Sequence, residues 1–170
     1  MKISTPFTME TIQQLKAGDT IKLSGEIYTA RDAAHARMVD ALRSGSPSPF
    51  NYGGQAVFYA GPCPAPPGKP IGSIGPTTSG RMDAYSPQLI EAGLRVMIGK
   101  GERLPAVVDA IKKYGGIYFV AVGGVAALMA KCVVKAETIA YEDLGTEAIR
   151  QLTITNLPLV VAIDYLGRSI

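Results

Sequence analysis

Apolar and polar residues alternate with period two over residues 20–29 (TIKLSGEIYT), the pattern of a strand with one buried face, and Gly18-Asp19 before it reads as a turn. The segment is either one strand or a hairpin bent at Gly25. Over residues 32–43 the period becomes helical: Ala34, Met38, Ala41 and Leu42 share one face behind Asp32, a candidate cap. Residues 44–54 (SGSPSPFNYGG) predict a loop and 55–60 (QAVFYA) a strand. The proline-dense stretch 61–70 (GPCPAPPGKP) excludes helix and reads as a linker or a rigid lid. Residues 71–74 predict a short strand, and a helical pattern after Gly75-Pro76 runs to Glu91 and stops at Gly93.

Further along, 94–98 and 116–122 read as strands flanking a helix at 104–114. Gly123-Gly124 opens a small-residue helix over 125–131. Residues 135–140, 151–156 and 159–164 return to strand, with a late turn at Gly167. Alternation of strand and helix in the middle third predicts parallel crossovers, and the chain as a whole a mixed α/β fold. No run approaches the roughly 20 apolar residues of a membrane span. The start, Met1-Lys2-Ile3-Ser4-Thr5-Pro6, lacks the apolar core of a secretory signal. The expectation is a soluble, cytoplasmic protein with no membrane partner.

Composition narrows the class. A length of 170 residues predicts one domain over 1–170, and the charged share of 18% against 47% hydrophobic leaves surface for a partner to cover. The net charge of +3 is carried by scattered lysines and arginines without interleaved aromatics, so nucleic-acid binding is set aside. Cys63 and Cys132 form no CxxC pair, and no metal or disulfide framework follows from them; they read as free thiols or small buried hydrophobes.

Candidate chemistry gathers where strands hand over to helices. In residues 75–83 (GPTTSGRMD) free N–H groups at a helix start, the hydroxyls of Thr77, Thr78 and Ser79, and the guanidinium of Arg81 one turn on would hold a carboxylate or phosphate. The alternative is an N-cap beside a surface arginine. Gly99-Lys100-Gly101, at a strand's C-terminal end, brings backbone and an ammonium toward a ligand, or is a solvated turn. Arg31-Asp32-Ala33-Ala34-His35 occupies a third such edge, where the sole histidine reads as a packing or capping group. Gly123-Gly124 serves either close backbone approach or helix packing. The residues thus describe an anion-binding α/β domain with neither a nucleophile–base pair nor a metal-ligand set: part of a site.

Five blocks, GPTTSGRMDAY (75–85), ARDAAHARM (30–38), IGKG (98–101), AVGGVAALMAK (121–131) and YEDLGTEAI (141–149), resemble the C-terminal domain or β subunit of class I fumarases and L-tartrate dehydratases. The resemblance runs from about Gly18 to Gly167. It implies a swivelling β/β/α three-layer domain with a mixed sheet. It further implies a companion α subunit whose three cysteines carry a 4Fe-4S cluster, with no metal held by this chain. The implied reaction is reversible hydration of fumarate to L-malate, the iron without a thiolate serving as Lewis acid. By motif, Thr77 corresponds to the general base and Arg31, Arg81 and Lys100 to substrate-binding positions. An αβ assembly that dimerises, acting on a dicarboxylate and inactive as the lone chain, is the expectation. An L-tartrate dehydratase β subunit is the alternative, and a non-catalytic carboxylate- or phosphate-binding module the alternative of another class. Met82-Asp83-Ala84-Tyr85 and the Tyr141-Glu142-Asp143-Leu144-Gly145 block look closer to fumarase, while Thr146 departs from it.

Overall fold

A computed structural model describes residues 1–121 and 126–170; Gly123-Gly124 and the start of the helix expected behind them lie outside it. The β-rich segments form one mixed sheet built from β1 (Lys2–Ser4), β2 (Thr20–Thr29), β3 (Ala56–Phe58), β4 (Val96–Gly99), β5 (Ile117–Ala121), β6 (Val133–Ala140) and β7 (Ile149–Ile163). Their order is β1-β2-β3-β4-β5-β7-β6, with β2 also paired to β7. Strands β2 to β5 are mutually parallel, as the strand–helix alternation predicts. β7 runs antiparallel to β5 and, from Thr20↔Val160 to Thr29↔Arg150, to β2, which closes the sheet into a ring.

Side-chain alternation then sorts two cores. Ala56, Phe58, Val96, Ile98, Ile117 and Phe119 point into the ring with Leu23, Ile27, Leu152 and Val161. Their neighbours Val57, Met97 and Tyr118 point outward, under the helices α2 (Asp32–Ser44), α3 (Ser86–Glu91) and α4 (Pro105–Tyr114). The two walls of the ring and this helical layer make the β/β/α arrangement. Ile12 of α1 (Met9–Gln14) and Met129 of α5 (Ala126–Ala130) join the interior cluster.

Several elements differ from the sequence reading. The expected strand at 71–74 is a loop: Ile71 and Ile74 are buried in the ring's core, but Cys63 N–H bonds Ser73 O at 2.9 Å and Gly72 N–H bonds Cys63 O at 3.2 Å, folding the proline segment onto itself. The strands expected at 151–156 and 159–164 are one strand, β7, which accommodates Asn156 at φ 51°. Gly25 marks a register shift within one strand and not a hairpin. The helix expected up to Glu91 is divided into a 3-10 turn (Ser79–Met82) and α3. The α2 cap is Arg31, with Asp32 the first helical residue.

Candidate functional site

Because β2, β3 and β4 are parallel, the segments after them emerge on one edge of the sheet, the usual ligand edge of α/β folds. β2 delivers Arg31 and α2, β3 delivers Gly61, and β4 delivers Lys100. At the head of α2 the Arg31 carbonyl accepts both the His35 N–H (2.9 Å) and His35 Nδ1 (2.8 Å), which fixes the Nδ1-protonated tautomer. His35 is buried against Tyr59, and burial pushes its pKa down to about 4, with Arg103 adding to the effect against the Arg31 carbonyl and Asp32.

His35 is therefore neutral in the folded chain and charged in the unfolded chain below its ordinary pKa. The unfolded state binds the extra proton, so the His35 contribution lowers stability as pH drops from about 6.5 toward 4, by up to roughly 3 kcal/mol, and that contribution levels off below. Denaturant titrations of the wild type and His35→Gln across this range check it: the variant's stability should lack most of the slope.

Asp32 brings the two arginines together. Arg81 Nη2 donates to Asp32 Oδ2 at 2.6 Å, and Arg31 Nε lies 3.8 Å from Asp32 Oδ1. Arg31 Nε and Asp32 Oδ1 are both buried and have no hydrogen-bond partner among the described residues. Burial alone would raise the Asp32 carboxyl, but its backbone hydrogen bond and the Arg81 and Arg31 guanidinium groups outweigh this and hold it below the ordinary carboxylate range. A side chain at Gly61 would press on Arg31 Cδ at 3.0 Å, so glycine there lets the arginine lie against the strand edge.

Segment 77–81 crosses the ends of β3 and β4. Thr77 N–H bonds Tyr59 O at 2.6 Å, and Ser79 N–H bonds Lys100 O at 2.9 Å. Ser79 Oγ in turn accepts the Lys100 N–H at 3.0 Å. For Thr77 and Ser79 the expectation of amides free to hold an anion is therefore corrected: their N–H groups are spent on anchoring the loop. Gly99 is also reassigned. A Cβ there would collide with Ser79 Oγ and approach Tyr59 Cδ2 to 2.8 Å, so this glycine admits the loop and not a ligand. Gly99→Ala is expected to cost about 1–3 kcal/mol by overpacking, read by thermal denaturation.

Sequence reasoning missed what lies beneath. Arg103 and Asp83 form an ion pair at 2.7 Å with both side chains at most 1% exposed. Asp83 Oδ2 also accepts the Leu104 N–H at 2.7 Å. Arg103 Nη2 donates to Ser86 Oγ (2.9 Å) and Tyr59 Oη (3.2 Å), and its guanidinium lies over the Tyr118 ring, 4.7 Å from the centroid. The Tyr118 hydroxyl, pushed up to about 12 by burial and thus protonated, sits 2.7 Å from Ser79 Oγ and donates to Gly101 O at 2.9 Å. This buried lattice joins the Thr77–Arg81 loop to the Lys100 turn. Its one sequence signal is that Asp83 ends the GPTTSGRMD block.

The described geometry thus places Arg31 and Arg81 beside one carboxylate, and the exposed Lys100 on a loop paired through backbone to Thr78 and Ser79, with Thr77 anchored to Tyr59 just past β3. Beside it, the proline loop, Thr146 and Arg150 line a groove of about 410 Å³ that includes Cys63. Among the described residues no three His, Cys, Asp or Glu side chains converge as metal ligands, and Cys63 and Cys132 are free thiols. Burial raises the Cys132 pKa. No helix of the described residues is long and apolar enough to cross a membrane.

Fold and site together define an α/β domain that gathers cationic side chains at the carboxyl edge of a parallel sheet. The model of the Fumarase C-terminus family matches residues 1–170, and the chain belongs to that family. It is 38% identical to fumarate hydratase 1, mitochondrial, of Leishmania major over 96% of this chain and 30% of that protein. It is 37% identical to the class I aerobic fumarate hydratase of Escherichia coli strain K12 over 93% of this chain and 29% of the relative. The chain therefore spans less than a third of these fumarate hydratases. Against the putative L(+)-tartrate dehydratase subunit beta of Methanocaldococcus jannaschii it is 36% identical, covering 96% of this chain and 87% of the relative.

Proposed function

We propose that this chain is the β subunit of a two-subunit fumarate hydratase, in which Arg31, Arg81 and Lys100 hold a dicarboxylate while Thr77 serves as the base that moves the proton beside the reacting carbon. The single observation that carries this reading is the meeting of Arg31 and Arg81 on Asp32 at the carboxyl edge of the sheet, on a chain of the fumarase family. Two arginines and a lysine supply cationic partners for a doubly charged substrate, and guanidinium groups have the fork geometry that takes carboxylates. A threonine hydroxyl is a poor base, and the neighbouring cations favour its ionised form.

The family resemblance implies a 4Fe-4S cluster. The described residues of this chain do not fit as its ligands, since they offer two isolated thiols and no converging triad. Its ligands are assigned to an α partner, in keeping with the near full-length match to a relative named as a subunit beta. We read the 170 residues as one domain of a cytoplasmic αβ assembly that dimerises.

The test is reconstitution. The chain alone should show no hydro-lyase activity, and anaerobic mixing with its cluster-loaded partner should produce it, with fumarate preferred to L-tartrate. In the assembled enzyme Thr77→Ser should retain part of the rate and Thr77→Val should lose at least about 100-fold, the usual scale of a general base. Equal rates for the two variants would remove Thr77 from proton transfer. Preference for L-tartrate would move the assignment to the tartrate dehydratase branch, a reading that the coverage of that relative keeps open.

A further inference from the structure

We propose that Asp32 is a positioning and specificity residue of the anion site: it aims Arg81 and Arg31 and trims the site's positive charge so that a dianion is favoured over a trianion. The proposal deepens the reading above and rests on its assignment of Arg31, Arg81 and Lys100 to the substrate. Asp32 cannot itself bind a carboxylate substrate, because two carboxylates repel and neither donates a hydrogen bond. Its contacts run instead to the residues that can. Arg81, whose side chain is 52% exposed, is held through Nη2 alone by Asp32 Oδ2, and among the described residues its guanidinium makes no other hydrogen bond. One end of the fork is fixed and the remaining donors are left for a ligand. On the other oxygen, Arg31 Nε stands 3.8 Å away, too far for a hydrogen bond, and both atoms are buried without partners. Two buried complementary atoms that face each other across a slightly open gap describe a pair set to close when a ligand draws the arginines in.

The position of Asp32 suits this role. It opens α2, where the helix dipole and its own backbone N–H favour the ionised carboxylate. Charge balance gives the second half of the proposal. Arg31, Arg81 and Lys100 alone would offer three positive charges, and Asp32 reduces them to two, the count of a dicarboxylate. Nearby, Glu147 (whose Oε1 accepts the Ala33 N–H at 3.3 Å) and Arg150 offset each other, as do Arg37 and Asp143 in their ion pair, and the exposed Glu102 follows Lys100 on the same turn, so the count is that of Asp32, the two arginines beside it and Lys100. With Asp32 present, a third carboxylate on the ligand would find no unmatched cation among these residues of the chain.

The experiment compares wild type, Asp32→Asn, Asp32→Ala and Asp32→Glu in the assembled enzyme. It measures kcat and KM for fumarate, competition by succinate and citrate, and calorimetric binding of those two probes. Asp32→Asn keeps the shape and removes the charge: the ratio of citrate to succinate affinity should rise about tenfold, the effect of one unit charge nearby, while kcat/KM falls. Asp32→Ala also releases Arg81, so its kcat should fall further than that of Asp32→Asn. Asp32→Glu should restore the wild-type discrimination between the probes. Asp32→Asn with unchanged kcat/KM and an unchanged citrate-to-succinate ratio overturns the proposal. If Asp32→Asn melts below the assay temperature, Asp32→Ala measured beside Asp32→Glu decides: an unchanged citrate-to-succinate ratio in Asp32→Ala overturns the proposal, and a raised ratio that Asp32→Glu returns to the wild-type value supports it. Absence of hydro-lyase activity in the wild-type assembly would sink the enzymatic reading alone, because calorimetric discrimination between succinate and citrate still reports on Asp32.

Discussion

Arg103→Met is expected to destabilise the folded chain by about 3–5 kcal/mol, the cost of leaving a buried charge without its partner. The partner is Asp83, whose side chain is 1% exposed and whose two oxygens are split between Arg103 Nε and the Leu104 N–H. Removal of the guanidinium also strips Ser86 Oγ and Tyr59 Oη of a donor and two tyrosine rings of a cation. Methionine fills the stem's volume, so the loss reads the charge and its hydrogen bonds more than a cavity. Urea denaturation at neutral pH measures it. The double variant Asp83→Asn with Arg103→Met should recover part of the loss, since the unpaired ion is then gone. A loss below about 0.5 kcal/mol, the scale of an ordinary surface substitution, would show that the pair is hydrated and not a structural tie. The consequence for the site is direct, because this pair links the end of the Thr77–Arg81 loop to the residues after Lys100.

That pair also marks where sequence reading stops. The β/α alternation was legible because the period changes from two to 3.6 at Asp32 and Pro105, and the candidate edges were legible because glycine, hydroxyl and cationic residues cluster just after apolar runs. Strand β1 has three residues and α1 six, too short for any period to register. Residues 71–74 have the apolar character of a strand, yet prolines on either side and the absence of a partner strand among the described residues make them pegs in the core. Strand β7 reads as two because Asn156 and Pro158 interrupt it, whereas pairing with β2, β5 and β6 carries the chain through the interruption. Glu102 and Arg103 are adjacent charges with opposite fates, one exposed and the other buried, and no local pattern distinguishes them. The same holds for Asp32, which reads as a cap and in fact bridges two arginines from loops 50 residues apart, a relation set by the order of parallel strands and not by spacing.

Arg81→Ala is expected to lower kcat/KM of the assembled enzyme by roughly 100- to 1000-fold, the loss of about 3–4 kcal/mol that follows when one member of a desolvated, hydrogen-bonded charge pair is truncated. In the proposed assembly the partner subunit and substrate would supply that desolvation, since in the chain alone the Arg81 side chain is 52% exposed and anchored through Nη2 to Asp32. Arg81→Lys keeps the charge without the fork, so it should recover only part of the loss. Fold stability offers the internal control: an arginine this exposed contributes little to folding, and the melting temperature of Arg81→Ala should stay within a few degrees of wild type. A large rate loss with an intact fold places Arg81 on the substrate, whereas a rate near wild type makes it a surface charge that happens to rest on Asp32. Combining Arg81→Ala with Arg31→Ala then separates two further cases. If the guanidinium groups grip opposite carboxylates of the substrate independently, their losses in free energy add; if they act as one unit organised by Asp32, the second substitution costs far less than it does alone. The shared carboxylate between them favours the second outcome.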